Sequence, residues 1–152
     1  MSSAPITRHI SAARPVVYRA LLDPRAVTTW RAPDGMTGRV HEFDPREGGS
    51  FRISLTYDDP TGTGKTSADT DTYRGYFVAL VPDERVVELV EFETADPDLR
   101  GQMTITTTLA DADGGTDVAV VFEGLPSGVS STDNETGTRM ALANLAALVE
   151  AV

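Results

Sequence analysis

The segment DNETGTRMALANLAALVEAV, residues 133–152, decides the fold of this chain of 152 residues. Its apolar side chains recur at the spacing of one helix face, which predicts a helix over residues 133–152 with Asp133 as its N-cap. Several alanines within it allow a close approach to another surface. The segment follows a long series of strands, so we expect this helix to pack across a sheet. Its apolar stripe consists of Met140, Leu142, Leu145, Ala146, Leu148 and Val149.

Two strands joined by a tight turn precede this helix. Apolar residues alternate with polar ones over residues 102–109 and again over 116–123, as in strands with one buried face. Between them, Asp113-Gly114-Gly115 is a strong signal for a β-hairpin. The sequence therefore predicts an antiparallel pair directly before the long helix.

The remaining segments extend the same architecture toward the N-terminus. Alternation and turn residues predict further strands, and two stretches near the N-terminus have helical spacing. Because the helices stand at the two ends and do not alternate with strands, the chain belongs to the α+β class. The predicted strands are residues 6–11, 37–43, 50–57, 72–81 and 85–93, and the predicted short helices are residues 13–22 and 25–31.

Length and composition predict one domain over residues 1–152. An apolar fraction of 40% suffices for a core, and no run of residues has the length and hydropathy of a membrane span. The first residues lack the basic and apolar regions of a signal peptide, so a cytoplasmic location is expected. The absence of cysteine excludes disulfides and thiol chemistry.

The negative charge is concentrated in one part of the chain. The formal net charge is −10, and residues 83–123 carry 11 acidic residues against two arginines. Such a segment would repel a phosphate backbone, so nucleic-acid binding is not expected. A solvated acidic sheet face explains this charge, and a patch reserved for a basic partner is the alternative.

Several short motifs, in this order, resemble the START-like (SRPBCC) superfamily, and within it the group related to the activator of Hsp90 ATPase. The resemblance spans essentially the whole chain and rests on order and spacing more than on any one motif. The matching positions are residues 7–11 and 16–22, Trp30, the turn FDPREGGSF at 43–51, Gly75, the hairpin VPDERV at 81–86, Gly114-Gly115-Thr116, Val118, Gly137, Leu142, Leu145 and Leu148.

The resemblance implies a helix-grip fold: a curved antiparallel sheet of about seven strands around a long C-terminal helix, with two short helices after the first strand. It also implies a cavity between sheet and helix. Members of the superfamily bind lipids, hormones or polyketides, cyclise aromatic polyketides or act as co-chaperones. One departure concerns the last helix, where Thr138 follows Gly137 at a position commonly occupied by Trp. This difference affects the expected size of the pocket.

Three side chains are candidates for proton transfer in such a pocket. Strand alternation could place His41 on the same face as Phe43, where an imidazole could donate to a ligand or act as a base. Glu88 and Glu91 interrupt an apolar strand and, three residues apart, point to opposite faces, so at most one is interior. Either one would have a raised pKa in an apolar cavity, but the sequence does not decide which faces inward. A solvated or paired role is the alternative for all three.

The leading hypothesis is a binding protein for a small hydrophobic or aromatic molecule, oriented by His41 or Tyr76. The alternatives are a cyclase- or hydratase-type enzyme that uses His41 or an inward glutamate, and a co-chaperone-like interaction domain. We expect no metal, because two histidines without clustered spacing do not make a site, and no cofactor. A homodimer is compatible with such a small domain. The predicted lining is Trp30, His41, Phe43, Phe51, Ile53, Leu55, Tyr76, Met103, Ile105, Val120 and Leu145.

Overall fold

A computed structural model describes residues 3–59, 64–67 and 69–150. Seven antiparallel strands form one curved sheet in the order β1-β7-β6-β5-β4-β3-β2, which confirms the predicted helix-grip fold. Two short helices follow the first strand, and a long helix ends the chain. The elements are β1 (Ile6–Ile10), α1 (Arg14–Leu21), α2 (Pro24–Trp30), β2 (Met36–Phe43), β3 (Ser50–Tyr57), β4 (Thr70–Val81), β5 (Arg85–Phe92), a 3-10 turn (Pro97–Leu99), β6 (Met103–Ala112), β7 (Gly115–Glu123) and α3 (Ser131–Glu150).

The long helix α3 begins two residues earlier than the sequence predicts. The side chain of Ser130 accepts a hydrogen bond from the backbone N–H of Asp133 at 3.2 Å. Asp133 therefore lies inside the first turn, where its negative charge faces the positive end of the helix dipole. The predicted end of the helix, residues 151 and 152, lies outside the described residues.

The alternation of apolar side chains defines an inner face of the sheet that is turned toward α3. Phe51 and Ile53 of β3 are fully buried there, as is Val118 of β7. From α3, Leu142 and Leu145 are buried and Met140 is not, so the apolar stripe is narrower than its spacing suggests. The core is thus a single layer of side chains between the sheet and the three helices.

The turn between β2 and β3 is tied to β4. Gly48 adopts a φ of +80°, which favours glycine, and its N–H donates to the carbonyl of Phe77 at 2.8 Å. Within the turn, Arg46 donates to the Asp44 carboxylate at 2.7 Å. Glu47 accepts from the backbone N–H of Leu80, just after an irregularity in β4.

Helix α3 lies closest to α2, β1 and α1, so it packs nearest the β1 edge of the sheet. Helix α2 lies against β2, and its N-cap Asp23 accepts a hydrogen bond from the N–H of Arg25. Its last residue, Trp30, donates from its indole to the carbonyl of Ala20 and so joins the two short helices.

Within the described ranges, none of the helices has the length and apolar character needed to cross a bilayer.

Candidate functional site: a buried ion pair on the inner face

A charged side chain enters the inner layer from the end of α2. Arg31, the residue that caps this helix, places its Nη2 2.5 Å from the Oε1 of Glu88 on β5. Its Nη1 donates to the hydroxyl of Tyr73 on β4 at 3.3 Å. The three side chains, Arg31, Glu88 and Tyr73, are called the Arg31 cluster below. Side-chain exposure is 12% for Arg31 and 4% for Glu88, so the cluster is largely removed from water.

Aromatic rings surround the guanidinium. Its central carbon lies 5.1 Å from the ring centre of Trp30 and 5.9 Å from that of Phe51. These distances are within the range of cation–π attraction. Burial alone would lower the pKa of Arg31, but the charge of Glu88 and the hydrogen bonds to Glu88 and Tyr73 raise it above its ordinary value. The guanidinium therefore stays charged inside an apolar layer.

The hydrogen-bonding capacity of the cluster is only partly used. Among the residues that the structure describes, the Nε of Arg31 is the one buried side-chain nitrogen or oxygen without a hydrogen-bond partner. The hydroxyl of Tyr73 accepts from Arg31, and burial raises the pKa of this phenol, so it keeps its proton as a donor. Two donors with unused capacity therefore lie within one cluster.

The structure decides between the two glutamates of β5. Glu88 pairs in register with Phe77 and Ile105 and faces inward with them. Glu91 lies on the outer face, where it accepts from Arg74 at 3.1 Å. The expectation that at most one of them is interior is confirmed, and Glu88 is that one. Its carboxylate is held by an arginine and is not an isolated acid.

His41 faces outward, so the expectation that it shares a face with Phe43 is wrong. The pairing of β2 with β3 shifts between Val40 and Glu42, which adds one residue and interrupts the alternation at His41. The Nε2 of His41 is 2.7 Å from the Oγ of Ser54, on the outer face. Burial, followed by the charges of Arg52 and Arg39, lowers the pKa of His41.

The other histidine is also far from the Arg31 cluster. The Nδ1 of His9 is 2.9 Å from the Oδ1 of Asp117, on the exposed surface of β1 and β7. The sequence has two histidines. Because both lie outside the inner face, neither one supplies a base there. Within the described part of the chain, no three His, Cys, Asp or Glu side chains gather in the way that a metal site requires.

Most of the predicted lining residues do lie on the inner layer. Six of them are buried there, and three others, Phe43, Leu55 and Ile105, are only partly buried although they pack against the core. Ile105 is informative because it belongs to a central strand next to Glu88 and still keeps some access to solvent. The six buried members are Trp30, Phe51, Ile53, Met103, Val120 and Leu145.

Tyr76, like His41, lies on the outer face and is 43% exposed, so it cannot line the inner layer. It borders a shallow groove of about 560 Å³ on that face, together with the paired charges of Arg52 and Arg74. Arg52 lies on the outer face and donates to both carboxylate oxygens of Glu93, at 2.7 and 2.9 Å. This groove is separate from the Arg31 cluster.

Sequence reasoning missed Arg31, the central residue of the cluster. It lies at a helix end before the turn Ala32-Pro33, a place where an arginine is usually solvated, and no periodic pattern marks it. The one available signal is its position next to Trp30, since arginine and indole rings pack well together. Tyr73 had a detectable signal, because it precedes Gly75 and Phe77 at alternate positions of one strand.

Thr138 lies in the first half of α3, one residue after Gly137. Its hydroxyl donates to the carbonyl of Asn134 at 2.7 Å, so the hydrogen bond of this side chain is formed within α3. Six residues further along α3, Asn144 donates to the carbonyl of Ala32, directly after Arg31. Helix α3 thus fixes the segment that carries the arginine.

The fold is that of the START-like, or helix-grip, class of domains. Comparison with known families gives the more specific assignment: the chain belongs to the family described as activator of Hsp90 ATPase homolog 1-like protein, whose family model matches residues 11–150. This match confirms the family that the sequence motifs indicate.

Solved structures of similar proteins agree with the assignment. Protein CV1439 of Chromobacterium violaceum is 34% identical, with a TM-score of 0.86, and the match covers 98% of this chain and 96% of that one. Protein Ms6760 of Mycobacterium smegmatis is 20% identical, with a TM-score of 0.75 over 97% and 90% of the two chains. At that identity the likeness concerns the fold alone. No match was found among curated protein sequences.

Proposed function

We propose that this protein binds a small, largely hydrophobic or aromatic molecule between the inner face of the sheet and α3. The observation that carries the proposal is the Arg31 cluster. Charged side chains are seldom buried in a core that serves only for packing, because their desolvation is costly. A buried ion pair with unused donors, surrounded by aromatic rings, is what a ligand site with a few polar groups requires.

The incomplete burial of two apolar side chains supports the same proposal. Ile105 and Leu55 lie on the inner face and are only partly buried. A bound molecule would cover their remaining apolar surface, and each Å² removed from water contributes roughly 25 cal/mol.

Binding is favoured over catalysis by the placement of the proton-transfer candidates. His41 and His9 lie outside the inner layer, and the carboxylate of Glu88 is engaged by Arg31. A cyclase or hydratase would require a base aimed at the ligand. The inner layer instead offers hydrogen-bond donors, which orient a ligand without transferring its protons.

The proposal can be tested by native mass spectrometry of the protein taken from cell extract, followed by thermal-shift measurements with a library of aromatic metabolites. A ligand at 100 times its Kd should stabilise the fold by about 2.7 kcal/mol. Trp30 is the only tryptophan and lies beside Arg31, so its emission should change on binding. If no compound stabilises the protein by about 1 kcal/mol at saturation, the proposal fails.

A pair of variants tests the location. Ile105→Trp adds a large ring beside Glu88 and should abolish the stabilisation by a ligand. Val78→Trp is the matched control, because Val78 is 48% exposed, and binding should be unchanged. Equal binding by both variants would place the ligand elsewhere.

A further inference from the structure

We infer that the outer face of the sheet is a homodimer interface, on which a second copy of this chain packs about a twofold axis that runs along the strands between β4 and β5. The contact surface is called the outer patch below. It lies on the side of the sheet opposite the Arg31 cluster, so the inference goes beyond the proposed function and does not depend on it. The outer patch consists of Arg74, Tyr76 and Val78 of β4 with Val87, Leu89 and Glu91 of β5.

The outer patch gathers the apolar exposure of the molecule. Among the residues that the structure describes, Tyr76 at 43% and Val78 at 48% are the only large hydrophobic side chains that are exposed. They lie two residues apart on β4, and Val87 and Leu89 of the neighbouring strand are only partly buried on the same face. Single exposed apolar residues are ordinary, but a contiguous group of them marks a contact surface.

The shallow groove of about 560 Å³ on the outer face runs through this patch. Its border includes Arg74, Tyr76, Leu89 and Glu91, so it lies at the two strands that flank the proposed axis. In a twofold interface, each contact occurs twice, with the roles of the two copies exchanged. The ring of Tyr76 from each copy can therefore enter the groove of the other.

The charges of the patch favour a second copy as the partner, because they are complementary to themselves. Arg74 and Glu91 are directly opposite each other in the register, with Nε and Oε1 3.1 Å apart. A twofold axis between their strands places Arg74 of one copy over Glu91 of the other, and Tyr76 over Leu89 in the next row. An axis along β4 or along β5 would instead bring like charges together, which is costly.

The neighbouring strands are compatible with the same arrangement. The axis also exchanges β3 with β6, which are the next strands outward. Arg52 would then face Gln102, which borders the same groove, and Ser50 would face Thr104, so no like charges meet in these rows. Within the described part of the chain, Arg74 donates only from its Nε, which leaves both Nη groups for the carboxylate of a second copy.

The curvature of the sheet limits the contact and thereby its strength. The inner face is concave toward α3, so the outer face is convex, and only the four middle strands β3–β6 can meet those of a second copy. Four strands at a spacing of about 4.8 Å and a length of about eight residues give each copy roughly 500 Å² of flat contact. An interface of this size is typical of a weak association. We therefore expect a dissociation constant in the micromolar range.

Sedimentation velocity of the full chain at concentrations from about 5 to about 500 µM measures this association. Physiological ionic strength is required, because the net charge of −10 makes two copies repel each other in low salt. We expect a monomer at the lowest concentration and a dimer at the highest. Tyr76→Lys places a charge in the apolar part of the patch and should weaken the dimer at least about 10-fold.

A charge exchange separates a contact between copies from the pair within one chain. Arg74→Glu alone and Glu91→Arg alone each place like charges across the axis, so each protein should dimerise at least about 10-fold more weakly than wild type. Mixed in equal amounts, the two proteins should form a heterodimer, because every charge at these positions then faces its opposite. The double variant Arg74→Glu/Glu91→Arg should dimerise like wild type.

Arg139→Glu is the matched control for the charge exchange. Arg139 forms an exposed pair with Glu135 on α3, away from the outer patch, and its side chain is 54% exposed against 61% for Arg74. The dimer of this control variant should be as stable as that of wild type. Circular dichroism establishes that each variant is folded, and if one of the single variants does not fold, the double variant and Tyr76→Lys decide.

Four results would overturn the inference. The first is a wild-type chain that stays monomeric at the highest concentration, which would leave the outer patch to a different kind of partner. The second is a dimer that Tyr76→Lys does not weaken. The third is a mixture of Arg74→Glu and Glu91→Arg that does not associate, and the fourth is a folded double variant that stays monomeric.

Discussion

The guanidinium of Arg31 and the carboxylate of Glu88 meet 2.5 Å apart on the inner side of the sheet, where they join the end of α2 to the middle of β5. The two residues are 57 positions apart in the sequence. Few other polar side chains reach this layer, and around this pair the neighbours are mostly aromatic. The pair therefore places two opposite charges in a layer that is otherwise mostly apolar.

Removal of one partner of this pair should be far more harmful than removal of both. Glu88→Gln leaves the charge of Arg31 buried without a counter-ion, and we expect a loss of about 3–5 kcal/mol in the free energy of unfolding. The double variant Arg31→Met/Glu88→Leu should come within about 1 kcal/mol of wild type, because apolar side chains carry no desolvation cost. Urea denaturation followed by circular dichroism measures both.

The control for this experiment is Glu93→Gln, which breaks the bidentate pair with Arg52 on the outer face. Arg52 is substantially exposed, so water screens the lost interaction and the effect should be much smaller than that of Glu88→Gln. If Glu88→Gln and Glu93→Gln lose the same free energy of unfolding, burial does not make the inner pair more costly to break than the outer one.

The pKa of His41 should lie below 6.5 in the folded protein, because burial and the charges of Arg52 and Arg39 disfavour the imidazolium. A titration of the imidazole C–H signals by NMR measures it. Arg39→Gln should raise this pKa toward 6.5, while Arg8→Gln, on β1 at the other edge of the sheet, should not change it. No movement in Arg39→Gln would contradict the assigned cause.

The same shift makes stability depend on pH. A lowered pKa in the folded state means that the unfolded chain binds the proton more readily. The contribution of His41 is therefore complete above pH 6.5 and is lost as the pH falls through the folded pKa. In His41→Gln, the difference in unfolding free energy between neutral and mildly acidic pH should decrease. If the pH dependence of the unfolding free energy is unchanged in His41→Gln, His41 does not contribute to it.

Gly75 should not tolerate even a methyl group. A Cβ at this position would lie 2.0 Å from the carbonyl oxygen of Leu89 and 3.1 Å from the ring of Phe51. Because the first contact is with backbone, β4 and β5 would have to move apart. We expect Gly75→Ala to cost about 1–3 kcal/mol, as overpacking does elsewhere. A neutral effect in urea denaturation would show that the strands can adjust.

Gly137 should behave in the opposite way. It lies inside α3, and a Cβ there would meet only the Cγ of Pro33 at 3.9 Å, an ordinary contact. Since alanine favours the helix over glycine, Gly137→Ala should stabilise the protein by about 0.5–1 kcal/mol. A measured loss of stability would mean that the entrance of α3 requires glycine for another reason. Gly75→Ala and Gly137→Ala are the same substitution with opposite expected effects on stability, so each is the control for the other.

The sequence alone determined the architecture. Alternation with a period of two over β3 and β7, the Asp113-Gly114-Gly115 turn and the apolar stripe of α3 are local features. Each depends on neighbouring residues only, so spacing suffices to identify it. The motifs that resemble the family lie in the same local features, which explains why the family assignment was also available from the sequence.

Only the tertiary structure decided which side chains form the site. The phase of β5 was ambiguous because apolar residues stand at both alternations, and Glu88 was placed inside by its register with Phe77 and Ile105. His41 was turned outward by one extra residue in the pairing of β2 with β3, a non-local event that the spacing of a single strand does not record.

Arg31 is the clearest case of this division. Nothing in its own segment marks it as buried, because an arginine at a helix end is ordinarily solvated. The packing of α2 against the sheet and the hydrogen bond of Asn144 to Ala32 bring it to Glu88. The long helix α3 is evident from the spacing of its apolar residues. What that helix holds in place was decided by contacts between residues 57 to 112 positions apart.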